Sequence, residues 1–330
     1  MRIRDEGVEM ENNFCSNIRE RLSVIVFPGG FNLPLYVAEE KGFFDREGLA
    51  VTMTPTPNSV FQMTSLIRGD FDVAMTAFDN VVAYNEGQID SKEPLDADVV
   101  AVSGGDRGFL SLVASGACAD VAGLKGKRVA VDALTTGYAF VLLEMLERNA
   151  VAREGVEFVK FGGVADRFRG LMEHEFDATL LVTPFDIMAE KVGFRALATA
   201  AELLGSYQGV VAAVNRRWAQ ENQGKLTGFI RAQIRGVRWL SDARNRDEAI
   251  QILRKFVPLM TVELAAHCCA VMIDSAGGFQ ADVAIDEEGM QTVVSLRQKY
   301  SGASLHRPSP RDHTDLGYYE KAMSGSGGFE

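Results

Sequence analysis

The chain has 330 residues, 47% of them apolar and 24% charged, and its formal net charge is -11 with an isoelectric point near 5.0. A chain of this length is long enough for two domains and needs neither disulfides nor a metal to fold. Its basic residues are scattered along the sequence, which argues against nucleic acid and anionic membranes as partners. No apolar run of about eighteen residues occurs, so no membrane insertion is expected.

The N-terminal stretch 1–21 is predicted to be an extension that precedes the folded part. The first 22 residues alternate charged and polar side chains, without an apolar stretch of the length that an export signal needs. The sequence as printed therefore indicates a cytoplasmic protein. A leader removed beforehand, or a start at Met10, leaves a periplasmic location open.

The cysteines and histidines form no pattern typical of a metal site. Cys15, Cys118, Cys268 and Cys269 show no CxxC spacing, and the adjacent pair cannot bridge easily, so all four are interpreted as free thiols. His267 precedes that pair, but no second histidine or carboxylate lies at ligand spacing. No metal and no cofactor is predicted, and the other histidines are expected to be solvated: His174, His306 and His313.

Short apolar strands alternate with amphipathic helices in the first part of the chain, which is typical of a parallel sheet with crossover helices. Turn residues separate them, beginning with Gly29 and Gly30 after the first strand, and Asn58 with Ser59 is predicted to cap a helix. The predicted strands are 23–27, 49–53, 71–75, 99–103 and 109–114.

The pattern then restarts as a second series and returns. Strands are predicted at 126–131, 158–161 and 178–182, with helices between them, and a strand at 209–214 leads into long helices rich in Arg and Trp. The chain is therefore expected to leave one lobe, build a second and come back. The predicted segments are lobe 1 at 22–112, lobe 2 at 113–206, the lobe 1 return segment and C-terminal helices at 207–302, and a wrapping or disordered tail at 303–330.

Three segments carry a family resemblance when taken together. The run from Phe31 to Phe44, FNLPLYVAEEKGFF, resembles the opening of the nitrate/sulfonate/taurine and thiamine-pyrimidine-precursor binding proteins of ABC importers, the NMT1/THI5-like family. GLKGKRVAV, from Gly123 to Val131, is similar to that family's entry into lobe 2. YQG, followed by a strand and NRRWAQEN, resembles its return segment, and the likeness covers about 22–302.

The resemblance implies a two-lobed type II periplasmic-binding-protein fold with two crossover strands and a ligand between the lobes. It implies a solute-binding protein of an ABC-type importer, with a small organic ligand and a transporter permease as partners. The alternative is a cytosolic enzyme on the same fold, because related desulfinases use a cysteine after the first strand and the pyrimidine synthases carry clustered cysteines. Here the loop 27–32 has no Cys, Ser or His, so no catalytic residue is predicted.

Ligands of open α/β sheets lie beyond the carboxyl ends of the strands, so the candidate ligand-binding residues are those at or just after a predicted strand end or beside a crossover. For lobe 1 and the crossovers they are Phe27, Gly30, Phe31, Asn32, Asn58, Ser59, Phe78, Asp79, Asn80, Ser103 and Tyr207. For lobe 2 they are Thr135, Thr136, Gly137, Tyr138, Gly163, Pro184, Phe185 and Asp186.

Each of these candidates has an ordinary structural interpretation as well. Asp79, Asp186 and the Thr135–Gly137 turn stand where helix caps are expected, and the phenylalanines are as typical of cores as of ring contacts. Acidic side chains outnumber basic ones at the strand ends, where only Arg107 stands near a crossover. The sequence therefore favours a flat nitrogen heterocycle or aromatic compound with N–H donors over nitrate or a simple sulfonate.

Overall fold

The structure is a computed structural model that describes residues 19–89, 95–258, 260–274 and 277–325. It contains two five-stranded sheets flanked by helices, so the predicted two-lobed α/β fold is confirmed. Cys15 and nearly all of the predicted N-terminal extension lie outside the described residues.

The elements follow the predicted order. The first part contains β1 (Glu20–Val26), α1 (Leu33–Glu40), α2 (Phe43–Arg46), β2 (Leu49–Pro55), α3 (Ser59–Arg68), β3 (Val73–Ala77), α4 (Phe78–Asn85) and β4 (Val99–Gly104). The second contains β5 (Leu110–Ala114), β6 (Arg128–Val131), α5 (Gly137–Arg148), β7 (Glu157–Lys160), α6 (Val164–Met172), β8 (Ala178–Val182), α7 (Phe185–Lys191), β9 (Arg195–Thr199) and α8 (Ala200–Leu204). The third contains β10 (Val210–Asn215), α9 (Arg216–Glu221), α10 (Gln223–Ser241), α11 (Arg246–Phe256), α12 (Val262–Ile273), α13 (Glu287–Tyr300) and α14 (Gly317–Ser324).

Each sheet is mostly parallel with one antiparallel strand. The first lobe has the strand order β2-β1-β3-β10-β4, and the second has β7-β6-β8-β5-β9. The antiparallel strands are β10 and β5, which are the strands that directly follow the two crossovers between the lobes. The sequence analysis missed β9, a half-buried edge strand of five residues without a long apolar run.

The two crossovers lie side by side and are held together by Asp106. Its backbone carbonyl accepts a hydrogen bond from Gly209 N at 3.0 Å. Its carboxylate accepts one from Gly108 N at 2.8 Å and one from Val210 N at 3.2 Å. A Cβ at Gly209 would lie 2.1 Å from Asp106 Oδ1, so only glycine fits this close approach. The carboxylate of Asp106 therefore links the two crossovers between the lobes.

The C-terminal segment packs on the first lobe, and His313 corrects the expectation of a solvated side chain. His313 is fully buried, with Nδ1 3.1 Å from Asn85 Nδ2 and Nε2 3.0 Å from the Arg307 carbonyl oxygen. Thr314 forms a parallel bridge with Ala101, so the segment adds to the β4 edge. The tail 303–330 was predicted to be either a wrapping or a disordered segment, and its described part wraps against the first lobe.

Candidate functional site

The carboxyl ends of the two sheets face each other and touch. Asp79 in the first turn of α4 is 3% exposed, and it packs against Gly137, the first residue of α5 in the second lobe. A Cβ at Gly137 would lie 2.4 Å from Asp79 Cγ. One apolar cluster also extends from Phe78 to Phe140, across the junction. The structure is therefore the closed arrangement of the two lobes.

Asp79 forms a buried ion pair with Arg297 of α13. The guanidinium donates from Nε to Oδ1 at 2.8 Å and from Nη2 to Oδ2 at 2.5 Å, and Arg297 is 1% exposed. The same guanidinium donates to Gln88 Oε1 at 3.0 Å and lies 5.0 Å from the centre of the Phe140 ring. Asp79 is neither a helix cap nor a free carboxylate, because both of its oxygens are paired with Arg297.

Two tyrosines lie beside this pair and face residues of both lobes. Tyr207 of the second crossover is 2% exposed, and burial raises the pKa of its hydroxyl well above the usual range, with Asp79 and Tyr138 adding to the effect. Burial also raises the pKa of Tyr138 in α5, and Asp106 raises it further. Both phenols are therefore neutral hydrogen-bonding groups at the lobe junction.

Asp106 is a buried carboxylate without a cation partner in the described part of the chain. It is 3% exposed, and burial raises its pKa to about 6, against the lowering effect of the hydrogen bonds from Gly108 and Val210. Ser103, at the end of the predicted strand 99–103, was the nearest candidate in the sequence, three positions before Asp106. Asp106 follows β4 and stands next to Tyr138 and Tyr207.

Arg167 is a second residue that the sequence analysis missed. It lies in α6, is 2% exposed, and donates from Nη1 to the Gly162 carbonyl at 2.9 Å. Its nearest carboxylate is Asp132 at 3.9 Å, and its Nε has no hydrogen-bond partner among the described residues. Arg167 and Tyr138 interact electrostatically, which places this guanidinium at the strand ends of the second lobe.

We name these groups the interlobe polar cluster. They come from both lobes and both crossovers, and each of them forms an ion pair or interacts electrostatically with another member. The cluster consists of Asp79, Asp106, Tyr138, Arg167, Tyr207 and Arg297.

Several predicted residues of the first lobe are engaged within that lobe. Phe78 and Ser103 are fully buried, and Ser103 Oγ donates to Gln233 Oε1 at 3.0 Å. The Nδ2 of Asn32 donates to the Phe27 carbonyl at 2.7 Å. Asn80 Nδ2 donates to Thr76 Oγ1 at 2.9 Å, and exposed Asn58 caps α3 by accepting from Phe61 N at 2.8 Å. Ser59 begins that helix, and Gly30 is buried. Phe31 packs against two apolar clusters, one of which is the cluster that spans both lobes.

The predicted residues of the second lobe divide between caps and the junction. Thr136 caps α5 and donates to Asp132 Oδ1 at 2.8 Å, while Thr135 is exposed. Asp186 accepts hydrogen bonds from Ser111 Oγ at 2.8 Å and from Ile187 N at 2.8 Å, so its carboxylate is hydrogen-bonded within the second lobe. Exposed Gly163 precedes α6, Pro184 precedes α7, and Phe185 packs on Phe168 with ring centres 5.1 Å apart. Gly137 and Tyr138 are at the junction itself, and ligand contact by all of these residues stays a prediction.

Other features of the described chain do not compete with the junction as a site. One surface cavity of about 260 Å³ lies between α5 and α13, and one of about 460 Å³ lies beside the C-terminal segment. Neither is lined by a residue predicted from the sequence. The described residues contain no group of three potential metal ligands, and no helix among them is long and apolar enough to cross a membrane.

Solved structures with the same fold include binding proteins of known ligand type. The periplasmic nitrate-binding protein NrtA of Synechocystis PCC 6803 has a TM-score of 0.77 at 12% identity, covering 94% of this chain and 89% of that one. The alkanesulfonate-binding protein SsuA of Xanthomonas axonopodis pv. citri, bound to MOPS, has a TM-score of 0.68 at 16% identity, covering 92% and 97%. A protein of Bordetella bronchiseptica RB50 has a TM-score of 0.76 at 19% identity, covering 92% and 97%.

Sequence comparison gives the family directly. No curated protein matches the sequence. The family resemblance noted in the sequence is nevertheless confirmed, because the profile of the NMT1/THI5-like family matches residues 32–245. Since this match covers more than half of the 330 residues, the chain belongs to the NMT1/THI5-like family.

Proposed function

We propose that this chain is a solute-binding protein that captures a small organic ligand between its lobes and delivers it to the permease of an ABC-type importer. The observation that carries the proposal is the interlobe polar cluster, where Arg167 and Asp106 are buried and have no opposite charge in hydrogen-bond contact among the described residues. A buried donor without a partner lowers stability by about 1–3 kcal/mol, and a ligand acceptor would recover that loss. NrtA and SsuA, which share the fold, bind small ligands.

The favoured ligand is a flat nitrogen heterocycle or aromatic compound with both a hydrogen-bond acceptor and an N–H donor. The acceptor would face Arg167 and the donor would face Asp106, while Tyr138 and Tyr207 offer ring surfaces beside them. Asp79 and Asp186, the anchors suggested by their positions at helix starts, already have partners within the protein. We therefore move the proposed anchors to Arg167 and Asp106.

The enzyme alternative gains no support from the described cysteines. Burial raises the pKa of Cys268 to about 12 and that of Cys269 to about 11. Both thiols are therefore protonated at neutral pH, and a thiol is a much weaker nucleophile than a thiolate. Cys118 is buried as well.

We place the working protein in the periplasm, since NrtA is a periplasmic protein of the same fold. Cell fractionation of the native protein tests this location. Recovery only in the cytoplasm would favour a binder that stays inside the cell, or the enzyme alternative.

A ligand screen tests the function. Thermal-shift measurements with pyrimidines, aromatic acids, taurine and nitrate identify the ligand class, and calorimetric titration follows. Arg167→Gln and Asp106→Asn should each weaken binding about tenfold or more, because one charge-assisted hydrogen bond contributes about 1.5–3 kcal/mol.

Arg231→Gln is the matched control for this screen, because Arg231 is paired with Glu47 on the far side of the first lobe. It should leave the affinity unchanged. Tight binding of nitrate or taurine that neither cluster variant affects would contradict the proposed ligand class and its anchors.

A further inference from the structure

The contact between Asp79 and α5 brings one carboxylate of the first lobe to the start of a helix in the second. α5 has twelve residues, and Gly137 is its first. The first-turn N–H groups of such a helix carry partial positive charge. Thr136 caps only Ala139 N. The Asp79 carboxylate therefore lies where an anion is electrostatically favoured.

Cationic groups surround the same place. Arg297 is buried, is paired with Asp79 and covers the Phe140 ring of α5. Arg167 interacts electrostatically with Tyr138, the second residue of α5. The electrostatic environment at this end of the second lobe would attract an oxyanion, but the protein supplies a carboxylate of its own.

We propose that Asp79 is a specificity-determining residue of the lobe junction, whose carboxylate packs against Gly137 at the start of α5 in the closed state and excludes anionic ligands there. An anion at this position would have to displace a carboxylate that Arg297 holds by two hydrogen bonds. Removing both Asp79 oxygens would leave the Arg297 guanidinium buried beside an empty space of carboxylate size.

This role refines the ligand-binding function proposed above, because it confines the ligand to the side of the junction formed by Arg167, Asp106 and the tyrosines. It also separates two kinds of aspartate in the cluster. Asp79 is neutralised within the protein, while Asp106 has no cation partner in the described residues.

Chemical rescue of Asp79→Ala tests the inference. The variant should melt at a lower temperature than the wild type in chloride buffer, and acetate should raise its melting temperature in a saturable way. Methanesulfonate should bind the variant in calorimetry and should not bind the wild type. Asp72→Ala is the matched control, because Asp72 accepts from Ser23 N and Oγ at 2.7 and 2.9 Å and forms no ion pair with another residue that the structure describes. Acetate should not rescue that control.

The double variant Asp79→Ala/Arg297→Met lacks both charges and should not respond to acetate. If Asp79→Ala does not fold in chloride buffer, the unfolded variant is refolded from urea in chloride and in acetate. Recovery of the folded protein in acetate alone supports the inference. Failure to refold in both buffers contradicts it. Equal binding of methanesulfonate to the wild type and the variant would also contradict it. The titrations of the Arg167 and Asp106 variants are separate experiments, so the ligand-binding proposal can stand or fall independently.

Discussion

At the scale of single residues, charge at the lobe junction is distributed differently from charge along the sequence. Acidic side chains at the predicted strand ends, such as Asp79 and Asp186, suggested an acidic cleft. In the structure Asp79 is paired with Arg297, and Arg167 lies 3.9 Å from Asp132, so two basic groups stand at the junction. A shortage of basic groups therefore disfavours oxyanions less than the sequence indicated. In our proposal, oxyanions are instead excluded by Asp79, whose carboxylate occupies the junction itself.

Asp106 should make stability depend on pH with a defined sign. Its pKa is about 6 in the folded protein against an ordinary 3.8, because burial disfavours the carboxylate. The stabilising contribution of the protonated form is therefore fully present below pH 3.8 and is lost as pH rises through 6. A shift of this size corresponds to about 3 kcal/mol. Tyr138 and Tyr207 stay neutral over this range, since their pKa values are raised.

Urea unfolding between pH 4 and pH 7 measures this effect as the difference between the wild type and Asp106→Asn. The stability of the variant relative to the wild type should increase with pH by a few kcal/mol. His313 is present in both proteins, so its contribution cancels. Asp72→Asn serves as the control, and a difference that stays constant with pH would rule out Asp106 as the titrating group.

At the scale of elements, the starts of α4 and α5 form a direct contact between the two lobes. Gly137 begins α5 without a positive φ, so the helix itself does not require glycine at this position. The requirement comes from Asp79 of the other lobe. A helix start that resembles an ordinary cap in the sequence is therefore part of the interface between lobes.

Gly137→Ala should hold the lobes apart. The added methyl group would meet Asp79 at 2.4 Å, and overpacking of this kind destabilises a contact by about 1–3 kcal/mol. We expect a larger radius of gyration in small-angle X-ray scattering and weaker ligand binding.

Gly224→Ala is the matched control for Gly137→Ala, because a Cβ at Gly224, in the first turn of α10, has nothing within 4 Å. Adding Asp79→Gly to Gly137→Ala should restore closure, because it removes both the carboxylate and the Cβ that would lie 2.6 Å from the added methyl group. A radius of gyration equal to that of the wild type for Gly137→Ala alone would show that the lobes close by another contact.

At the scale of the whole molecule, the C-terminal segment belongs to the fold of the first lobe. It covers the β4 edge through Thr314, and α14 packs on α10 with Tyr318 and Ala322 buried. Glu86 accepts from Arg307 N at 2.9 Å, which fixes the segment to the end of α4. An exposed edge strand invites pairing with other chains, so this cover also protects against aggregation.

Deletion of residues 303–330 should therefore destabilise the protein. Loss of the buried His313 and Tyr318 contacts should remove at least about 2 kcal/mol, which for a chain of this length corresponds to a fall in melting temperature of about 3 °C or more. Calorimetry and light scattering measure the melting temperature and the aggregation. Deletion of 326–330 alone leaves every contact named here in place and is the control. Equal melting temperatures for both deletions would contradict a structural role of the segment.

The sequence by itself determined the family, the two α/β series and most strand positions, because these depend on residues that are neighbours along the chain. Strand β8 lies where it was predicted, from Ala178 to Val182, and the first turn of α5 was recognised as a candidate site. The edge strand β9 was missed, because half-buried short strands lack a clear apolar pattern.

Only the tertiary structure decided which charges meet. Asp79 and Arg297 are 218 positions apart, and no local pattern relates them. Arg167 lies inside a helix, so a search of strand ends passed over it, and Asp106 gained its role from the second crossover that packs beside it. Packing brings such residues together and removes water from around them. Their charges then interact strongly, which is the physical reason that the site depended on the fold rather than on the sequence pattern.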